Sequence, residues 1–146
     1  MKSLKKSKQN YVIKTMKKIL VVEDDTYLAN AYRVKLTRAG FEVKNAFDGV
    51  EAIEMLSTFT PDLILLDIVM PKKDGFVTLS EIKANEAWKN IPVILASNLG
   101  QKEDRDRGMQ LGATDFVTKT DFTLNSLIEK ISNLLQVTVP QNPTQP

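Results

Sequence analysis

Leu63-Ile64-Leu65-Leu66-Asp67 is the stretch whose reading decides the fold. Four consecutive apolar residues without alternation suit a strand buried on both faces, and a carboxylate closes the run. A second run, Ile19-Leu20-Val21-Val22, ends in three acids, Glu23-Asp24-Asp25. Acids placed where two buried strands emerge do not serve a core, because an unpaired buried carboxylate is costly or shifts its pKa. Two such strand ends side by side gather negative charge into one pocket, which suits a hard divalent cation.

Outward from these runs, strand-like and helix-like segments alternate five times. After Ile19–Glu23, the residues Leu28, Tyr32, Leu36 and Ala39 recur at helical spacing, and Gly40 closes the segment. Phe41-Glu42-Val43-Lys44-Asn45 alternates as a half-buried strand does. Asp48-Gly49 opens a short helix carrying Ala52, Ile53 and Leu56, with Pro61 beyond it. Leu63–Asp67 follows, then a loop from Pro71 to Gly75 and a helix marked by Phe76, Leu79 and Ile82. Pro92 introduces Val93-Ile94-Leu95-Ala96; a polar helix from Gln101 to Leu111 ends at Gly112; Thr114–Thr118 is a short fifth strand. In the last helix Leu124, Leu127, Ile128, Ile131, Leu134 and Leu135 form one apolar stripe, with Thr123 as N-cap and Phe122 stapled to Leu127. Strands joined by helices imply right-handed crossovers and a doubly wound, five-stranded parallel sheet with five helices. Ligands of such sheets sit beyond the carboxyl ends of the strands. The acids, Ser97 and Lys119 all fall at that edge.

Composition narrows the chemistry. The chain has neither cysteine nor histidine, which excludes disulfides, thiolate metal sites and imidazole bases, so any metal has oxygen ligands. No apolar run approaches the roughly 20 residues of a membrane span, and the N-terminus lacks a signal-peptide core, so a cytoplasmic protein is expected. The net charge of +2 hides an asymmetry. Lysines 2, 5, 6, 8, 14, 17 and 18 fill the first eighteen residues without an acid, while the rest carries 13 basic and 18 acidic residues, a net of −5. Residues 1–15 read as a disordered basic extension, 16–137 as the folded domain, and 138–146 as a disordered Pro/Gln tail. The folded body is not expected to bind nucleic acid; the basic arm alone has the charge for contact with nucleic acid or an acidic membrane.

Four motifs together resemble a response-regulator receiver domain of two-component signalling. They are Val22-Glu23-Asp24-Asp25, Leu65-Leu66-Asp67-Ile68-Val69-Met70-Pro71-Lys72-Lys73-Asp74-Gly75, Ile91-Pro92-Val93-Ile94-Leu95-Ala96-Ser97 and Gly112-Ala113-Thr114-Asp115-Phe116-Val117-Thr118-Lys119. All four in order cover about Lys17 to Gln136. The resemblance implies a flavodoxin-like sheet of order 2-1-3-4-5. It implies Asp67 as phosphoacceptor, and Glu23, Asp24, Asp67 and the Val69 backbone carbonyl as Mg²⁺ ligands. Lys119 and Ser97 would contact the phosphoryl oxygens, with Ser97 and Phe116 as switch residues. A histidine kinase or phosphotransfer protein would be the donor. The output surface would be the fourth helix, fifth strand and last helix, facing a partner protein or a second copy in a homodimer.

Several residues have a plainer reading. Asp25 suits a helix cap, with a one-residue slip of the Glu23–Asp24 pair as the alternative. Asp74-Gly75 is turn chemistry, Phe116 is core, and Trp88 packs on the surface of the third helix. Thr120 stands where the family has proline, Asn98 where it has a small residue, and both bear on how the site is shaped. Val69 and Leu99, two residues after Asp67 and Ser97, cannot orient a water, which implies slow loss of a phosphoryl group.

A dehalogenase-type phosphatase would need an acid at Val69, and a nucleotide-binding domain a glycine-rich phosphate loop; neither is present. A phosphorylation-independent scaffold is the competing function. A stand-alone switch, which is not a turnover enzyme, and a fragment of a longer regulator both fit the chain.

Overall fold

The computed structural model describes residues 16–98, 101–120 and 123–137. The basic extension, the Pro/Gln tail, Leu99 and the Phe122 staple lie outside them. Five strands alternate with five helices among the described residues: β1 (Lys18–Val22), α1 (Thr26–Arg38), β2 (Glu42–Ala46), α2 (Gly49–Leu56), β3 (Leu63–Asp67), α3 (Gly75–Ala84), β4 (Val93–Ser97), α4 (Lys102–Gln110), β5 (Asp115–Thr118) and α5 (Leu124–Leu135). The sheet is parallel throughout, in the order β2-β1-β3-β4-β5. This is the flavodoxin-like arrangement expected from the sequence.

The unbroken apolar runs have the explanation their pattern demands. β3 and β4 are buried at every residue, and β1 from Ile19 to Val22. Successive side chains point to opposite faces, so each strand feeds two cores. Leu20, Val22, Ile64, Leu66 and Leu95 join Ala52, Leu56, Phe76, Leu79 and Ile82 of α2 and α3. Ile19, Val21, Leu63, Leu65 and Ile94 join Tyr32 and Leu36 of α1 and Leu127, Ile128 and Ile131 of α5. Each fully buried Leu or Ile contributes about 1.5–3 kcal/mol, so the central strands dominate stability.

Helix starts follow local chemistry. Asp25 accepts hydrogen bonds from the Tyr27 and Leu28 amides and starts α1. Asp48 and Asp74 cap α2 and α3 in the same way. Thr123 and Ser126 form a reciprocal capping box on α5. Gly40 closes the α1 turn at φ +101°, a left-handed conformation that costs glycine little.

Two apolar assignments differ from the sequence reading. Leu134 is exposed and lies outside the buried face of α5, whereas Ser132 is buried because its hydroxyl donates to the Ile128 carbonyl. From Ile131 a step of four residues stays on the face, reaching Leu135, while a step of three rotates Leu134 past its edge. Trp88 is partly buried against the core that α3 and β3 share, so it does more than decorate the helix surface.

α4 is the exception among the helices. Only Gly108 is buried, so close against Leu95 that a Cβ there would clash with the Leu95 side chain. Two arginines supplement that contact: the Arg105 guanidinium lies 5.2 Å from the Phe116 ring centroid, and Arg107 lies 4.2 Å from that of Phe76.

Candidate functional site

The register brings the chemistry to one edge. β1 and β3 are neighbours, with Val22 opposite Leu66, so Glu23 and Asp67 continue adjacent strands. Carboxylate oxygens of Glu23, Asp24 and Asp67 lie within 4.8 Å of one another. Glu23 is 2% exposed and Asp67 is 5% exposed, while Asp24 faces solvent. Asp25 points its carboxylate into the α1 cap, which separates it from the cluster by function as well as by position.

Lys119, just beyond β5, reaches back across the edge. Its Nζ lies 2.7 Å from Glu23 Oε1 and 2.9 Å from Asp67 Oδ1. The amine takes this position with Thr120 following it in place of proline. Burial alone would lower the Lys119 pKa, but its bonds to Glu23 and Asp67 outweigh that and raise it. The Lys119 amide also donates to the Ser97 carbonyl at 2.6 Å, tying the ends of β4 and β5 together. Ser97 is buried at the end of β4, one residue beyond the Asp67–Ala96 pair. Phe116, opposite Leu95 in β5, is buried and belongs to the core.

Asp67 is strongly perturbed by its surroundings. Burial raises its pKa from the ordinary 3.8 to about 6; Lys119 pulls it down, and Glu23 and Asp24 push it up. The loop beyond it is held closely. The Gly75 amide donates to the Ile68 carbonyl at 2.7 Å, and a Cβ on Gly75 would come within 2.7 Å of Ile68 Cα and closer still to the Asp67 carbonyl. Only glycine admits that approach. Val69, two residues past Asp67, exposes its side chain to solvent, as does Asn98 beyond Ser97.

The donor set fits a hard cation. Three carboxylates converge with no histidine or cysteine in the chain, and the ligands are oxygen, as Mg²⁺ prefers. Two residues escaped the sequence reading as parts of the site. Gly75 was visible only as turn chemistry, and Tyr32 only as a member of the α1 stripe. The signal for Tyr32 was a polar tip on an otherwise apolar face that looks toward the acidic strand ends.

A doubly wound parallel sheet with an acidic pocket and a lysine at its carboxyl edge is the architecture of a receiver domain. The family model for the response regulator receiver domain matches residues 19–132, and the chain belongs to that family. It is 34% identical over 128 residues to the DNA-binding dual master transcriptional regulator RpaA of Synechocystis, covering 86% of this chain and 53% of RpaA. With the chemotaxis protein CheY of Halobacterium salinarum it shares 37% over 120 residues, 82% of this chain and 97% of CheY. The structure of the phosphorylated cyanobacterial phytochrome response regulator RcpA superimposes with a TM-score of 0.75 at 31% identity, over 87% of this chain and 100% of RcpA. The chain spans about half the length of several of the curated relatives it matches. Receiver domains bind Mg²⁺ and work with histidine kinases and output partners in two-component signalling. Among the described residues, no helix is long and apolar enough to cross a membrane.

Proposed function

We propose that Asp67 accepts a phosphoryl group in a Mg²⁺-dependent reaction, and that the aspartyl phosphate switches protein–protein contacts. The observation that carries this is the buried Asp67 carboxylate, 2.9 Å from the Lys119 amine and converging with Glu23 and Asp24. Glu23, Asp24, Asp67 and the Val69 carbonyl would hold the cation, which offsets the repulsion between an anionic nucleophile and an anionic donor. Asp67 supplies the attacking oxygen. Lys119 exchanges its bond to Asp67 for one to a phosphoryl oxygen, and Ser97 hydrogen-bonds another. RcpA, a relative of known structure, exists in a phosphorylated form, which supports the same chemistry here.

The donor is a histidine kinase or a phosphotransfer protein. The output surface is α4, β5 and α5, contacting a partner protein or a second copy of the chain. We place the protein in the cytoplasm and read it as a switch with a slow off-step, without enzymatic turnover. Incubation with Mg²⁺ and acetyl phosphate, read by intact mass, is expected to add one phosphoryl group. EDTA and Asp67→Asn should each abolish it. Uptake persisting in Asp67→Asn would overturn the assignment, and no uptake in wild type would favour a phosphorylation-independent scaffold.

A further inference from the structure

Beside the acidic pocket, on the side of α1 and α5, lies a cleft of about 320 Å³ lined by Leu28, Tyr32, Asn98, Lys119, Thr120 and Leu124. Its two halves differ. Leu28 and Leu124 supply apolar walls, while Asn98, Lys119 and Thr120 bring an amide, an ammonium and a hydroxyl. No carboxylate is among the six. Tyr32 joins the halves: its ring belongs to the α1/α5 core, yet its hydroxyl, in a residue only 2% exposed, has no hydrogen-bond partner among the described residues.

A buried hydroxyl without a partner is costly, and a phenylalanine would fill the same core volume at no such cost. Burial, then the negative field of Glu23 and Asp67, raise the phenol pKa, so the group remains a proton donor. Its polar neighbours along the cleft can all donate: Asn98 through its amide nitrogen, Thr120 through its hydroxyl, and Lys119 through an amine also held by Glu23 and Asp67. None of the described residues accepts from Tyr32, and a bound anion would supply that acceptor. We propose that this cleft is a binding site for a small carboxylate with an apolar body. Its oxygens accept from Tyr32, Asn98, Thr120 and Lys119, and its body lies between Leu28 and Leu124.

The acids behind Lys119 set a condition on this site. Glu23, Asp24 and Asp67 bring three negative charges against one ammonium, which disfavours an incoming anion. On the metal reading given above, Mg²⁺ offsets two of those charges, so the carboxylate binds the Mg²⁺-loaded protein more tightly. A ligand here shares Lys119 with the phosphoryl site and so adjusts how readily that site is used.

Benzoate is a suitable probe, titrated into ¹⁵N-labelled full chain and followed by amide shifts. Saturable shifts at Leu28, Thr120 and Leu124 are expected, with a dissociation constant on the order of 1 mM for so small a ligand. Tyr32→Phe removes only the hydroxyl and should weaken benzoate at least about tenfold, the worth of one charge-assisted hydrogen bond. Asn98→Ala, at an exposed position, should weaken it without threatening the fold. No saturable shift, or equal affinity in Tyr32→Phe, overturns the proposal. Inorganic phosphate producing the same shifts at the same concentration overturns it too, since that would be simple attraction to Lys119. Mg²⁺ alone, read at the Asp24 and Asp67 amides, tests the metal reading separately. If it moves nothing, that reading fails, and benzoate binding to the metal-free protein decides the cleft by the same criteria.

Discussion

Asp67 carries opposite demands, because the burial that would shield an attacking carboxylate also disfavours its charge. Its carboxyl is raised from 3.8 to about 6 in the folded chain. Between those values the folded state binds more protons than the unfolded one, so stability rises as pH falls through about 6 and the gain is complete below 3.8. Above that window the ionised group costs on the order of 1–2 kcal/mol, allowing for screening at the rim of the site. Asp67→Asn should therefore melt at a higher temperature than wild type near neutral pH in EDTA, with the advantage fading in acid. Melts across that range check it, and a variant less stable than wild type at neutral pH would contradict it. The strand-ending carboxylates were legible from sequence because each closes an apolar run that fixes its place, whereas Lys119 was legible only through the family motif that carries it. Tyr32 was not, because helical spacing records that a residue is buried but not whether its polar tip finds a partner.

At the scale of the elements, α1 begins where it does because Asp25 satisfies two of its first amides, at 2.9 and 3.0 Å. That geometry separates three adjacent acids into two roles, which spacing alone left open to a slip of one residue. Asp25→Ala should cost about 1 kcal/mol of stability while leaving Mg²⁺ affinity nearly unchanged. Asp24→Ala should do the reverse. Urea unfolding with a parallel Mg²⁺ titration tests both, and loss of Mg²⁺ uptake in Asp25→Ala would shift the ligand pair by one. The other helices show how far pattern reaches. The stripe of α5 was readable to Ile131 and failed at Leu134, because a stripe drawn from apolar identity ignores where the covered face runs out. α4 has almost no stripe, and its attachment through Gly108 and two arginines lying over aromatic rings depends on the tertiary fold.

Across the whole molecule, the ends of β4 and β5 are joined by the bond from the Lys119 amide to the Ser97 carbonyl, and α4 runs between those strands. On the function proposed above, a change at Asp67 would reach a helix with a single buried residue, which little packing holds in place. A full shift from 1:99 to 99:1 needs about 5.5 kcal/mol of differential interaction, more than a few new hydrogen bonds supply, so a partial shift is expected. Beryllofluoride with Mg²⁺, a phosphoryl mimic, should move amides in residues 101–120 and 123–136; shifts confined to the acidic pocket would refute this output surface. Trp88, the one tryptophan in the chain, precedes β4 at its amino end, whereas Asp67 and Ser97 lie at the carboxyl end of the sheet. The protein's intrinsic fluorescence is thus wired to the wrong pole: emission excited at the tryptophan edge will report unfolding of the α3–β4 core and stay nearly silent when the acidic pocket is loaded. An optical titration that finds no quenching would be reporting the position of its chromophore, and a reporter placed near the pocket is needed to see occupancy at all.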